Sequence, residues 1–363
     1  MSVVPSAAPT RLGTEESVAV RAALESVLAG GPWILGEPVE RFESEFATYL
    51  GVPEVVGVGN GTDALVLGLA ALGLSPGAGV LVAAVEGGYA ATAARMLGLR
   101  PLVMDVDELS MGPVVSDAQR ADDAGVEAII VTHLHGDAVP LDEIDRWRGR
   151  RGLALVEDCA QAHGLRVGGR HVGATGEVAT YSFYPTKNLG AIGDAGAVTC
   201  ADAAVAKRLR ALRQYGWGER YRVEHAGGRN SRLDTLQAAV LAARLPFLDG
   251  RNARRRAIAN RYRAALPQDR RLHGDPATTV AHHAVAIGAD RDGFQQRLEA
   301  RGITTSVHYP YLVTEMPGLD IEPASVPTSS RLRDRMLSLP CFPELTDAEV
   351  DRVCEALGAE AAR

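Results

Sequence analysis

SFYPTKNLGAIGDAGAVTC, residues 182–200, sets one lysine, Lys187, in a loop between two β-rich runs, VATYSF (178–183) and GAVTC (196–200). The loop is built from Pro185, Thr186, Asn188 and the glycines 190, 193 and 196. A lysine ordinarily sits on a solvated face. A desolvated one has a depressed pKa, and its free amine is a nucleophile toward an aldehyde. The glycines let the backbone pass close to a planar ligand, and Ser182, five residues upstream, offers a hydroxyl to a phosphate. By itself the stretch is equally an ordinary loop lysine with suggestive neighbours.

Working outward, LALVED (153–158) is a buried strand with Asp158 at its carboxyl end, where open α/β sheets place their ligands. An unpaired carboxylate there is costly, so Asp158 needs a cationic or hydrogen-bonding partner. From LALVED alone, a helix cap or a structural ion pair is the stronger reading. Further upstream, VVGVGNGTDALVLGLAALGL (55–74) reads as strand, Gly-rich turn and apolar helix. The free N–H groups and positive dipole end of such a turn suit a phosphate at Gly61 and Thr62. The plainer reading is a capped helix start, with Thr62 or Asp63 as the cap.

Between these segments the pattern alternates. VLVAAV, RPLVMDVD and EAIIVTHL read as strands, AATAARMLG and DEIDRWRGRRG as helices. Apolar runs alternating with helices predict a mostly parallel sheet covered on both faces. TEESVAVRAALESVLAG (14–30) and PVERFESEFATYLG (38–51) carry helical periodicity ahead of it, the first with a threonine cap at its start. Beyond about residue 201 the chain becomes helical, and its last hundred residues mix short strands (HHAVAIGA, TTSVHYP) with helices. A large domain over residues 1–245, including the N-terminal helices, and a smaller α+β domain over 246–363 are expected. The basic run RNARRR (251–256) reads as a solvated helix face.

With 363 residues, two domains are the prior. Hydrophobic residues at 46% and charged residues at 23% fit a soluble globular chain, and a net charge of −7 argues against broad phosphate-backbone binding. No nucleic acid and no membrane are expected as partners. The four cysteines show no C-x-x-C pair, so a reduced, cytoplasmic protein without a metal site is expected.

A phosphate turn, a strand-end aspartate and a loop lysine, in that order, are what pyridoxal 5′-phosphate (PLP) requires. The chain here resembles the PLP-dependent nucleotide-sugar aminotransferases of the DegT/StrS type. The resemblance covers almost its whole length and rests on eight segments in the right order: GPWILGEPVERFESEFA, GNGTDAL, HLHGDAVPLD, VEDCAQAHG, SFYPTKNLGAIGDAGAV, RNSRLDTLQAAVL, SVHYP and LSLPCFPELTDAEVDRV. It implies the aspartate aminotransferase fold (fold type I), and an enzyme passing an amino group from an amino acid, glutamate above all, to a nucleotide-linked keto sugar. Amino-sugar biosynthesis for an antibiotic or a cell-surface glycan would be its setting. Lys187 would be the Schiff-base lysine and Asp158 the partner of the pyridine nitrogen. Gln161 would approach the phenolic oxygen. Gly61, Thr62 and Ser182 would hold the phosphate, joined by Asn230 of the partner subunit in a homodimer with shared sites, whereas periodicity alone reads Asn230 as the cap of its own helix. His163, His308 and Tyr309 would face the substrate, while a satisfied structural histidine is an equal reading for both His163 and His308.

Two departures bear on the substrate. Where the family carries a Pro-x-x-Thr-aromatic segment whose aromatic stacks on the ring, AAVEGGYAA (83–91) places Gly87 at the expected position and Tyr89 two residues later. Tyr89 is the candidate stacking residue, and Glu86 has no assigned role. HLHGD carries His135 and Asp137 at positions that could change substrate contacts. The same chemistry on a keto-cyclitol or another non-nucleotide ketone is the nearest rival. A PLP-dependent sugar dehydratase typically replaces the lysine by histidine. A silent sugar-binding homologue has no need to keep Asp158, Gln161, Ser182 and Lys187 together.

Overall fold

A computed structural model describes residues 3–115 and 125–361. Seven strands form the central sheet: β1 (Glu54–Val58), β2 (Gly79–Ala83), β3 (Arg100–Met104), β4 (Val126–Thr132), β5 (Ala154–Asp158), β8 (Val178–Ser182) and β9 (Gly196–Cys200). Their order is β1-β9-β8-β5-β4-β2-β3, with a two-stranded hairpin, β6 (Arg166–Val167) and β7 (Arg170–His171), lying outside it. Six strands run the same way and β9 alone is reversed, pairing antiparallel with both β1 and β8. The expected mostly parallel sheet is therefore present. Its strands are continuous apolar runs because helices cover both faces.

The helices are α1 (Thr14–Leu28), α2 (Glu37–Leu50), α3 (Gly61–Leu72), α4 (Tyr89–Met96), α5 (Leu141–Gly149), α6 (Ala203–Leu212) and α7 (Thr235–Arg244). The cap of α1 is Gly13, without a side-chain bond, so the expected threonine cap is absent and Thr14 already lies inside the helix. On α2, Val39, Phe42, Phe46 and Leu50 recur at helical spacing and are buried against Tyr181 and Phe183. Between α6 and α7 a short hairpin, β10 (Trp217–Glu219) and β11 (Arg222–Val223), projects Tyr221 and Val223 outward.

A long helix, α8 (Leu248–Ala265), leads into a three-stranded sheet of β12 (Arg271–Leu272), β13 (Ala284–Ile287) and β14 (Met336–Leu339). The helices α9 (Arg291–Glu299), α10 (Pro327–Arg333) and α11 (Asp347–Ala361) complete the chain. Apart from α10, whose Leu332 packs into the core of the large sheet, these elements share a core of Ile258, Tyr262, Phe294, Leu337 and Val353. The chain's first residues join that core: Val4 is buried in it and bridges Ile303, so position 4 packs with the C-terminal elements rather than with the large sheet. TTSVHYP, expected as a strand, makes only the isolated bridge Ser306–Ser338. The basic run on α8 is also not uniformly solvated. Leu248, Asn252, Arg255, Ile258 and Tyr262 form its buried stripe, which carries Arg255 inward. Among the described residues, no helix is long and apolar enough to cross a membrane.

Candidate active site

Because β1, β2, β4, β5 and β8 run the same way, their carboxyl ends share one edge of the sheet, where ligands of such sheets bind. The turns after β1, β2, β5 and β8 feed residues into one cavity of about 380 Å³, lined by Gly61, Thr62, Tyr89, Asp158, Gln161, Ser182, Lys187, His308 and Tyr309, among others. Nine of the residues singled out from sequence thus meet on one wall.

After β1 the chain turns into α3, and the cap is Asn60, whose Oδ1 accepts from the Asp63 N–H at 2.8 Å. Neither Thr62 nor Asp63 serves as the cap, which leaves the start of the helix facing the cavity. A Cβ on Gly61 would lie 2.5 Å from Cβ of Ser182, so the close approach of turn and β8 requires glycine. Asp63 is held instead by Ser231 (Oγ to Oδ2, 2.7 Å) and Arg229 (3.2 Å). Asn230, between those two, is exposed and lies outside the cavity of its own chain. The helix that follows it is capped at Asp234, so Asn230 does not cap that helix either.

Asp158 is buried at the end of β5, and its Oδ1 accepts from the Ala160 N–H at 3.0 Å. Burial raises its pKa, while that bond and the nearby Lys187 oppose the shift. Desolvation pulls Lys187 down to about 8, against the attraction of Asp158. Among the described residues no acid lies within ion-pair distance of Lys187. The loop that carries it is pinned from several directions. Asn188 donates to Asn252 on α8 (2.8 Å) and to the Val280 carbonyl (2.9 Å), and His282 Nδ1 lies 3.0 Å from its Oδ1. Gln237 on α7 accepts from the Ile192 N–H at 3.0 Å. Nothing in the sequence pattern marked Asn188 as an anchor, because its partners are 64 to 94 residues away.

Gln161 Nε2 donates to Tyr309 Oη (2.8 Å), and its Oε1 accepts from the His135 N–H (2.6 Å). Tyr89 opens α4 at the rim and is half exposed, with Gly88 at φ 78° turning the chain to aim it there. Gly87, the expected stacking position, does not line the cavity. Glu86 lies just behind, 2% exposed, with only two long N–H contacts from Ala90 (3.3 Å) and Ala91 (3.4 Å). Burial, reinforced by Asp158, pushes its pKa up to about 8.

Two histidines correct the expectations. His163 is fully buried against Tyr181 and Phe183 and does not reach the cavity, because the turn after β5 carries it into the aromatic core. His135 also stays behind the wall, with its Nδ1 3.2 Å from Nδ1 of His283, whose ring stacks on His308 at 4.0 Å. Asp137 lines a different cavity, and burial lifts its pKa to about 7. His133, Glu157 and Cys159 are close enough to hold a metal ion, yet the ring nitrogens of His133 and the carboxylate of Glu157 are already occupied. His133 uses one nitrogen for the Val139 N–H and faces Glu157 with the other, and Glu157 takes N–H groups from Gly173, Thr175 and Gly176.

The donor set fits PLP. A half-buried, desolvated lysine without an acid partner, a strand-end carboxylate and a helix start closed by a required glycine surround one cavity. Residues 14–358 match the profile of the DegT/DnrJ/EryC1/StrS aminotransferase family. The dTDP-3-amino-3,4,6-trideoxy-alpha-D-glucose transaminase of Micromonospora megalomicea subsp. nigra is 38% identical over 346 residues, spanning 92% of each chain. The crystal structure of S. venezuelae DesV with a ketimine intermediate superposes with a TM-score of 0.95 at 37% identity, covering all of both chains. That of NtdA from Bacillus subtilis with bound PMP gives 0.93 at 27% identity, covering all of this chain and 86% of the other. With its sheet order, its lysine loop and a match running almost from end to end, the chain belongs to the DegT/DnrJ/EryC1/StrS aminotransferase family and has the fold type I architecture.

Proposed function

We propose that this protein is a PLP-dependent aminotransferase that passes an amino group from glutamate to a keto sugar carried on a nucleoside diphosphate. It would serve amino-sugar biosynthesis and work as a cytoplasmic homodimer. The observation that carries the reading is the meeting of Lys187, Asp158 and the Asn60–Thr62 turn around one cavity. The transaminase names of the relatives and the PMP bound to a neighbour support it.

When bound, PLP supplies an aldehyde that takes up the amino group and a ring that spreads the charge left on the donor carbon. The protein's residues do the rest. Lys187 Nζ holds the cofactor at rest and, once displaced, carries the proton off the donor α-carbon and returns it on the other side of the reaction. Its lowered pKa keeps a usable fraction of free amine near neutral pH. Asp158 holds a proton on the ring nitrogen, and burial strengthens that pairing. The N–H groups at Gly61 and Thr62, with Ser182 Oγ, take the phosphate at the start of α3. Gln161, oriented by Tyr309, would serve the phenolic oxygen, and Tyr89 would supply an aromatic face for the ring. His308 and Tyr309 border the space left for substrate.

Asn230 would complete the phosphate site of the partner subunit. In support, it is exposed, while Trp33, Ile34, Tyr184, Ile192, Tyr221 and Val223 are exposed apolar side chains that a second copy would cover. The test loads purified protein with PLP, adds glutamate, then offers the aminated form a panel of nucleotide-linked keto sugars and keto-cyclitols. Recovery of the original cofactor absorbance with a nucleotide sugar is expected. Recovery only with cyclitols would replace the sugar assignment, and no response to any amino acid would remove the aminotransferase reading.

A further inference from the structure

Lys187 borders two cavities. Besides the one above, a smaller cavity of about 170 Å³ shares Lys187, Thr186, His282, His283 and His308 with it. Its remaining wall carries Arg244, Arg251 and Arg255, with the N-terminal residues 6–9 and Arg11 at one side.

The charges of this wall do not cancel. Arg244 pairs with Glu16 at 2.7 Å, and Arg251 with Glu16 at 2.6 Å and with Glu344. Arg11 pairs with Glu349 at 3.0 Å. Arg255 is only 4% exposed, and among the described residues no carboxylate lies within ion-pair distance of it. Its Nη1 donates to the carbonyls of Cys341 and His282, and its buried Nε has no acceptor. The plain reading is that Arg255 staples those two carbonyls. Carbonyls satisfy hydrogen bonds but do not neutralise a charge, and a buried cation without a counter-ion is costly. Glu344 moderates that charge from the same wall but is committed to Arg251.

We infer that this cavity is a carboxylate subsite for the distal carboxylate of a dicarboxylic amino donor, with Arg255 as its principal charge. The inference rests on the aminotransferase reading and specifies its donor. A donor whose amino group reacts beside Lys187 has the second cavity on the other side of that lysine, with Arg255 on its wall. The cavity holds a short side chain with one carboxylate, whereas a nucleoside diphosphate sugar needs the larger, more open space. The two substrates thereby part at Lys187, one on each side.

The probe is glutarate, a dicarboxylate with no amino group. It is titrated into PLP-loaded enzyme by cofactor absorbance and into the cofactor-free protein by calorimetry. Charge-assisted hydrogen bonds of this kind are worth roughly ten- to a hundredfold in affinity. Arg255→Met should therefore weaken glutarate, and raise KM for glutamate, by about that factor, with KM for alanine within about twofold of the parent. Arg255→Lys should restore part of the loss. Glu344→Gln removes negative charge from the same wall without unburdening a buried cation, and should tighten glutarate about three- to tenfold. It decides the matter if Arg255→Met does not fold. Unchanged glutarate binding in folded Arg255→Met overturns the subsite, as does an unchanged or weaker affinity in Glu344→Gln. An equal rise in KM for glutamate and alanine overturns the distal assignment, since both share only the α-carboxylate. If glutamate converts normally in these variants, only the subsite fails. If no amino acid converts in the parent enzyme, the aminotransferase reading fails with it.

Discussion

Gln161 Nε2 donates to Tyr309 Oη at 2.8 Å, joining the turn after β5 to a residue of the C-terminal part of the chain 148 positions away. Since Oε1 accepts from the His135 N–H, the amide is latched at both ends and its orientation is set before any ligand arrives. Tyr309→Phe removes one end and should cost about tenfold in kcat/KM at most, with PLP still bound, the ordinary net value of one hydrogen bond. Gln161→Ala also strands the buried His135 N–H, and should cost more in rate and about 1–3 kcal/mol in stability. Steady-state kinetics with thermal melting checks both. Parental rates in both variants would show that the latch has no part in catalysis.

Lys187 gives a pH signature. Its amine must be uncharged to attack the aldehyde, and burial lowers its pKa to about 8. Capture of PLP by the cofactor-free protein should therefore be half-maximal near that pH and fall about tenfold per unit below it. Asp158 holds the lysine's pKa up, so Asp158→Asn should move the midpoint to lower pH. Lys187→Ala should abolish capture while leaving the fold intact, and Lys207→Ala should change neither. A stopped-flow pH series reads all four proteins, and a midpoint near 10.5 would contradict the buried setting.

Glu86 predicts an alkaline weakness in the fold. Its pKa is raised in the folded chain, so its contribution is fully present below the ordinary carboxyl value and is lost as pH rises through about 8. Glu86→Gln removes that ionisation. The variant should melt close to the parent at pH 5 and above it at pH 9, by about 2 °C or more if the penalty reaches ~1 kcal/mol. A difference in melting temperature that is flat between pH 5 and pH 9 would show that Glu86 serves only as a cap for α4.

Asn230 allows a test of shared sites. Lys187→Ala and Asn230→Ala chains, purified apart and mixed so that subunits exchange, should form mixed dimers. Each would hold one doubly damaged site and one site with both residues intact from opposite chains. Activity above either parent at equal total protein is expected. An average of the two parents, with exchange confirmed by mass, would place Asn230 in service of its own chain.

The sequence by itself determined the parts whose positions follow from local rules. An apolar strand ending in Asp158, a Gly-Asn-Gly turn opening an apolar helix, and a lysine in a Gly-rich loop each depend on a dozen neighbouring residues. Parallel pairing then brings their ends to one edge without further instruction. Tertiary structure decided what periodicity does not encode. His163 and His308 look alike in sequence, yet one turns into the aromatic core and the other into the cavity. Asn230 faces outward because Arg229 and Ser231 beside it are spent on Asp63, more than 160 positions earlier. Arg255 stands in a basic run that reads as solvated, and only the packing of α8 turns it inward. Burial and charge at these positions depend on chain segments that are distant in sequence and meet only when the fold closes, and that meeting sets the environment of each group.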